Sequence, residues 1–399
     1  MAAQLQLSRD THVYAEKDGY FWELPILDGF SFSQSTATTE VAVNEMADLS
    51  GVSRRGRKMF TDAFEPAEWN LQMYARPHKV TDSGDDIGHT TDEILWANFL
   101  NAGTYTHTGG ASERLWANAI TKTTAATGTS AASTVTMDFN DTNVSALGTF
   151  NLYFVLGACG TAPASYSAGP GNPQTIYKIS KAVCNSVTMD FDIDGILTLD
   201  WSGLGSLITE EANMPTTSPA WHTKIISDGI AHSNDNFIRN RLSTLAITTT
   251  TGSGSPYSAT SYELTLTGGS ISFENNLTFL TPEELCVVNQ PLGNVTGTRN
   301  ISGSFTCYLN SGTNANSAGT SGDLFDDLAS ATTIVNNSTD LVFSIGGASV
   351  PKLVIDIPTA HLEIPTHQIE DIIGLEMNFH ALPSSLDQTN EATLVYHKQ

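Results

Sequence analysis

The sequence predicts a mainly β protein built as two tandem β-domains, each with a short flanking α-helix. Three observations predict it. Only 15% of the 399 residues are charged against 40% hydrophobic, and Gly, Ser, Thr, Ala and Asn fill the difference. That mixture suits many short strands joined by polar turns and disfavours long charged helices. Apolar residues alternate at period two in one run after another, the spacing that puts them on a single face of a strand. Finally, a set of motifs occurs twice in the same order, which is the mark of an internal repeat.

The first copy opens with Glu23-Leu-Pro-Ile-Leu-Asp-Gly29-Phe-Ser-Phe32-Ser-Gln34, and the second with Glu263-Leu-Thr-Leu-Thr-Gly-Gly269-Ser-Ile-Ser-Phe273-Glu274. Both read as strands broken by a glycine where a bulge or bend fits. A strand ending in an aromatic follows: Trp69-Asn-Leu-Gln-Met-Tyr74, then Ser304-Phe-Thr-Cys-Tyr308. Each copy next offers a short amphipathic helix, Asp92–Leu100 and Asp323–Ala329, opening on an acidic residue that suits the positive end of the helix dipole. Then come Leu152-Tyr-Phe-Val-Leu-Gly157 and Leu341-Val-Phe-Ser-Ile-Gly346. The last pair is Leu197-Thr-Leu-Asp-Trp201 and Leu375-Glu-Met-Asn-Phe379.

The expected domains are 1–225 and 226–399, divided in the polar, Pro-containing stretch Met214–Ala231. The first carries 13 basic and 25 acidic residues and the second 5 and 17, so each nets −12. The first copy also holds a Thr/Ser/Ala/Gly stretch near 101–145 and a Gly/Pro/Ser loop at 160–173. Both read as surface insertions, which cost little loop-closure entropy. The cysteines Cys159, Cys184, Cys286 and Cys307 form no CxxC pair and read as buried free thiols.

A net charge of −24 excludes the basic footprint of a nucleic-acid binder and argues against an anionic membrane as partner. Met1–Asp10 has no apolar core, and no window approaches 18 uninterrupted apolar residues, so neither a signal peptide nor a transmembrane helix is expected. Asp190-Phe-Asp192-Ile-Asp194-Gly195 resembles the opening of an EF-hand loop, but the twelfth position is Trp201 where a bidentate Glu is required. The alternation reads better as a strand, with three carboxylates on one face and Val187, Met189, Phe191 and Ile193 on the other. His361-Leu-Glu363 lacks the PCxxC of zinc deaminases, and Gly157-Ala-Cys159-Gly160 is no nucleophile elbow. Neither a GxGxxG nor a P-loop occurs, so no enzyme, cofactor or metal is expected. One basic run stands out, Arg54, Arg55, Arg57 and Lys58, as a candidate loop docking on a neighbour's acidic surface.

Leu24–Gln34, a strand bearing Glu40 and Glu45, the loop Arg54–Lys58 and Phe64-Glu-Pro-Ala-Glu-Trp69 resemble tail tube proteins of long-tailed bacteriophages. The repeated Gly-broken strands, short acidic helix and closing strands extend the resemblance over most of both copies. It implies a β-sandwich or barrel-like domain, duplicated here, with three chains closing a ring of pseudo-sixfold symmetry. It also implies a structural virion protein, assembled in the host cytoplasm, whose stacked rings form the conduit for DNA ejection. Partners would be further copies, the tape measure, tail terminator and baseplate or tail-tip proteins, a sheath in contractile tails, and DNA passing through unbound. An acidic lumen repels phosphate, so Asp190, Asp192 and Asp194 are candidate lumen residues, and Arg54, Arg55, Arg57 and Lys58 are candidate inter-ring or inter-subunit residues. The competing reading is another all-β virion protein, such as a decoration, sheath-like or adhesion component. A secreted carbohydrate-active sandwich would need a secretion signal.

Overall fold

A computed structural model describes residues 6–42, 57–82, 85–107, 114–126, 133–139, 147–157, 174–214, 236–251, 255–312, 314, 318–331, 339–369 and 371–398. The chain is mainly β, as the composition and alternation predict. In chain order the strands begin with β1 (His12–Lys17), β2 (Tyr20–Leu24), β3 (Ser31–Ser33), β4 (Thr36–Ala42), β5 (Arg57–Phe64) and β6 (Ala67–Tyr74). A hairpin, β7 (Pro77–Asp82) and β8 (Asp85–Thr90), leads into helix α1 (Glu93–Phe99). Short strands β9 (Tyr105–His107), β10 (Arg114–Trp116), β11 (Ile120–Lys122), β12 (Thr124–Ala126) and β13 (Ser133–Asp138) follow. The first half then closes with β14 (Phe150–Leu156), β15 (Thr175–Asp192), β16 (Thr198–Gly205) and β17 (Ile208–Glu211).

Among the described residues the second half holds fewer strands. It starts with β18 (Thr244–Thr249), β19 (Ser261–Glu263), β20 (Leu266–Glu274), β21 (Thr278–Leu280), β22 (Gly293–Val295) and β23 (Asn300–Tyr308). Helix α2 (Ser321–Ala329) comes next, then β24 (Thr339–Ile345), β25 (Lys352–Leu362), β26 (Thr366–Gln368), β27 (Gly374–Ala381) and β28 (Thr393–Lys398). Pairings recur in matching order, all antiparallel: β1·β14, β14·β15, β15·β16, β16·β6 and β6·β3 in the first half; β18·β24, β24·β25, β25·β27, β27·β23 and β23·β20 in the second.

The 18-residue β15 serves two layers, because its register shifts between Cys184 and Ser186. Such a bulge bends a strand and increases its twist. Its first stretch lies between β14 and β17, and its second between β16 and β20. The pairing with β20, from Ser186↔Glu274 to Asp192↔Gly268, joins the halves into one long sheet in the order β3·β6·β16·β15·β20·β23·β27·β26. One continuous apolar core lies beneath it. Trp96 of α1 meets Trp201 edge-on at 4.9 Å and Phe273 at 5.7 Å, so the first helix packs against strands of both halves.

Two glycines permit this packing. A Cβ on Gly203 would stand 2.1 Å from the Val183 carbonyl and 2.3 Å from the Trp69 ring. A Cβ on Gly303 would stand 2.2 Å from the Ser270 carbonyl and 2.7 Å from the Phe379 ring. In each half an aromatic therefore lies across its cross-strand glycine.

Helix α1 falls inside the expected Asp92–Leu100, whereas α2 begins two residues before Asp323. The reason is a capping box: Thr320 accepts from the Asp323 N–H, and Asp323 accepts from the Thr320 N–H. The stretch near 101–145 does more than ride on the surface, since Trp116, Ile120, Val135 and Met137 are buried. The loop 160–173 lies outside the described residues, as does Cys159. Cys184 and Cys307 are buried free thiols as expected, but Cys286 is exposed, on the loop between β21 and β22 where no strand alternation turns it inward.

Candidate functional site

The open face of the long sheet is mostly polar, with Leu204 on β16 and Tyr308 on β23 among its apolar exceptions. Opposite the buried Val187, Met189 and Phe191, strand β15 presents Ser186, Thr188, Asp190 and Asp192. The same parity brings Glu68 on β6, Asp200 on β16, Glu274 on β20 and Glu376 on β27 to this face. Ser, Thr, Asn and Gln fill most of the space between them, and among the described residues of these strands the face carries no Lys or Arg. The crowding is felt electrostatically. Partial burial pushes the Asp200 carboxyl up, a hydrogen bond from Gln72 opposes this, and the charge of Asp190 adds to the rise.

Asp190 and Asp192 therefore sit where alternation put them, exposed on this face. Asp194 does not. The strand ends at Asp192, and Asp194 lies in the following turn, paired with Arg241 at 3.2 Å with both side chains largely in solvent. Ile193 shares that turn and is exposed rather than buried, because alternation stops where the ladder stops. The same alternation could have found Glu68, Asp200, Glu274 and Glu376 strand by strand; only the sheet order reveals that they share one surface.

The basic run divides. Arg54 and Arg55 lie outside the described residues, while Arg57 and Lys58 begin β5, the exposed second arm of the hairpin β4·β5. Arg57 faces Glu40 at 3.5 Å, and the Lys58 ammonium lies over the Phe60 ring at 4.8 Å. Both contacts are at the surface and hold the hairpin only weakly. Its base is tied to the second half, where Phe64 N–H donates to the Asn289 carbonyl and Asn289 N–H donates to the Asp62 carbonyl, each at 2.9 Å.

The two ends of the long sheet are edges. Among the described residues strand β3 pairs only with β6, and β26 only with β27. Beside β26 stand the exposed Ile364, Ile369, Ile372 and Ile373. Open main-chain donors and acceptors flanked by exposed apolar side chains form a surface made for pairing with another strand.

A buried ionic cluster sits at the start of α1. Glu93 accepts from Trp116 Nε1 at 2.7 Å and meets Lys122 Nζ at 2.5 Å and His89 Nδ1 at 2.8 Å. Burial alone would push its carboxyl up, yet Lys122 and His89 together hold it below the usual range. Its neighbour Asp92 is pushed up by burial, which outweighs hydrogen bonds from Thr90, Tyr396 and Trp96.

His78 stacks on His89 at 5.7 Å, and burial first, then the nearby His89, pushes it down to about 3. A histidine held neutral in the fold contributes stability that is full above its ordinary value near 6.5 and is lost as pH falls towards 3. We expect a His78→Leu variant to lose less stability than the parent chain between pH 6.5 and 4, by up to about 1.4 kcal/mol per pH unit. Denaturant midpoints across that range measure it, and parallel curves would reject it.

Among the described residues no three His, Cys, Asp or Glu side chains are placed to hold a metal ion. No helix there is long and apolar enough to cross a membrane. The ionic cluster is buried, whereas the acidic face, the two edges and the hairpin are exposed among the described residues.

No family model matches the chain. It is similar to the tail tube protein pb6 of Escherichia phage T5, with 27% identity over 399 residues, covering 98% of this chain and 75% of the relative.

Proposed function

We infer that this chain is a phage tail tube protein, a structural component of the virion tail and not an enzyme. The observation that carries the reading is similarity to such a protein along nearly the whole chain, joined to a β architecture whose long sheet ends in two open edges. Its partners are further copies of itself and other tail proteins. In finer detail we take the chain as a duplication divided near residue 225, three copies of which close a ring. The rings stack into a tube, and its ends meet the tape measure, terminator and tip proteins.

The seam β15·β20 supports this reading by serving as a template. It already joins one half to the next, and the same operation applied again brings β26 of one copy against β3 of a second. Matching Leu152 with Leu341 and carrying the observed registers through each sheet sets Thr366 opposite Ser33, and Gln368 opposite Ser31, of that copy. If each half is a sixth of the wall, three chains close it. The acidic face then lines the channel, where it repels DNA phosphate and keeps transit free of binding. Arg57 and Lys58 at the hairpin remain the candidates for contact with a neighbouring ring or subunit.

Electron microscopy of the purified chain tests the reading, with hollow tubes of threefold symmetry as the expected result. Crosslinking Ser31→Cys to Gln368→Cys in a Cys286→Ser background should give covalent species of up to three chains. A ladder reaching six would mean that the duplication has been misread. For the channel, tubes of the triple variant Asp190→Lys, Asp192→Lys, Asp200→Lys should co-sediment short duplex DNA at low salt, whereas parent tubes leave it in the supernatant. Variant tubes that ignore DNA would place these carboxylates off the channel.

A further inference from the structure

We propose that the two kinds of seam in the ring are unequal: strands pair across the halves within a chain in both layers, whereas strands pair between copies in the long sheet alone. This rests on the ring reading above. The second layer carries the argument. In the second half, β28 pairs with β25 on one side and with β13 on the other, six residues from Ser133↔Lys398 to Asp138↔Thr393. Strand β13 belongs to the first half, on the connection between α1 and β14, and is backed by β11. The first half thus reaches across and adds two strands to the outer layer of the second.

That clamp is pinned to α1. Tyr396 of β28 donates to Asp92 Oδ2 at 2.9 Å, and Trp96 Nε1 reaches the same oxygen at 2.7 Å. Lys122 of β11 meets Glu93 at 2.5 Å. One buried helix start therefore holds both the insertion and the C-terminal strand.

The counterpart of β28 in the first half is β17, which lies against the first stretch of β15 as β28 lies against β25. Among the described residues strand β17 pairs only with β15. For a second copy to clamp it, that copy's second half would need strands like β11 and β13 between α2 and β24. The connection there is 330–338, nine residues that already have to join the helix to the strand, against residues 100–149 in the first half. No length remains for two added strands. The β17 edge also carries exposed Thr209 and Glu210, and a charge at an open edge discourages strand addition. A second copy therefore fits the β3 and β26 edges and leaves the β17 edge open on the outside of the ring.

Hydrogen exchange with mass spectrometry on the full chain, dispersed and as tubes, tests this. Peptides of β13 and β28 should exchange at least tenfold more slowly than those of β17 in both states, while β3 and β26 gain protection only in tubes. Tyr396→Phe should raise exchange in β28 of the dispersed chain without altering the protection of β3 and β26 in tubes. Protection gained by β17 on assembly would overturn the proposal, as would β28 exchanging as fast as β17 in the dispersed chain. Tubes in which neither β3 nor β26 gains protection would overturn the ring reading itself, and the proposal with it.

Discussion

Replacing Lys122 with Met should destabilise the chain by about 3–5 kcal/mol, the range expected when one partner of a buried ion pair is removed. The Lys122 side chain is 3% exposed and Glu93 is fully buried, so the carboxylate left behind has no water to turn to. Trp116 and His89 would still donate to it, which leaves a charged group half satisfied in a low-dielectric interior rather than neutralised. The double variant Lys122→Met, Glu93→Leu removes both charges and should recover much of the loss, since a buried pair is often no better than apolar side chains of similar size. Chemical denaturation of the four chains in a double-mutant cycle measures the coupling. A Lys122→Met chain within 1 kcal/mol of the parent would show that the pair contributes little to the start of α1.

Like charges set across the copy-to-copy seam should abolish tubes without unfolding the chain. Ser33 and Thr366 are exposed in the single chain, so Ser33→Glu with Thr366→Glu leaves its core untouched. In a ring with the register given above, the two carboxylates stand directly opposite each other, and like charges juxtaposed at an interface cost several kcal/mol. Paired around three seams, that penalty should remove assembly at concentrations where the parent chain polymerises. The charge-swapped variant, Ser33→Lys with Thr366→Glu, should assemble again, less so at high salt. Light scattering and circular dichroism together separate lost assembly from lost fold. Tubes formed equally by both variants would place the seam elsewhere.

The acidic face shows how far local pattern reaches. Alternation in 186–192 places Asp190 and Asp192 on one side of a strand with no tertiary information, because successive side chains point to opposite faces. The same rule failed at Asp194 and Ile193, where the ladder ends and the chain turns towards Arg241. Where the strand ends depends on its partners β16 and β20, the second of which comes some eighty positions later in the chain. Cys286 is exposed rather than buried for a related reason. It lies in a loop, where apolar neighbours such as Leu285, Val287 and Val288 are no guarantee of burial.

By itself the sequence determined the β class, both short helices, the inward and outward faces of the central strands, and the resemblance to tail tube proteins. Each of these is written in spacing over a few residues or in motif order. Tertiary structure alone decided that β15 pairs with β20 to make one sheet, that β13 crosses to β28, and that Glu93 meets Lys122 beneath it. Period two says which side of a strand is buried but not which strand lies beside it. That choice is made by bulges, by glycines that let Trp69 and Phe379 lie flat, and by buried charges that must find a partner.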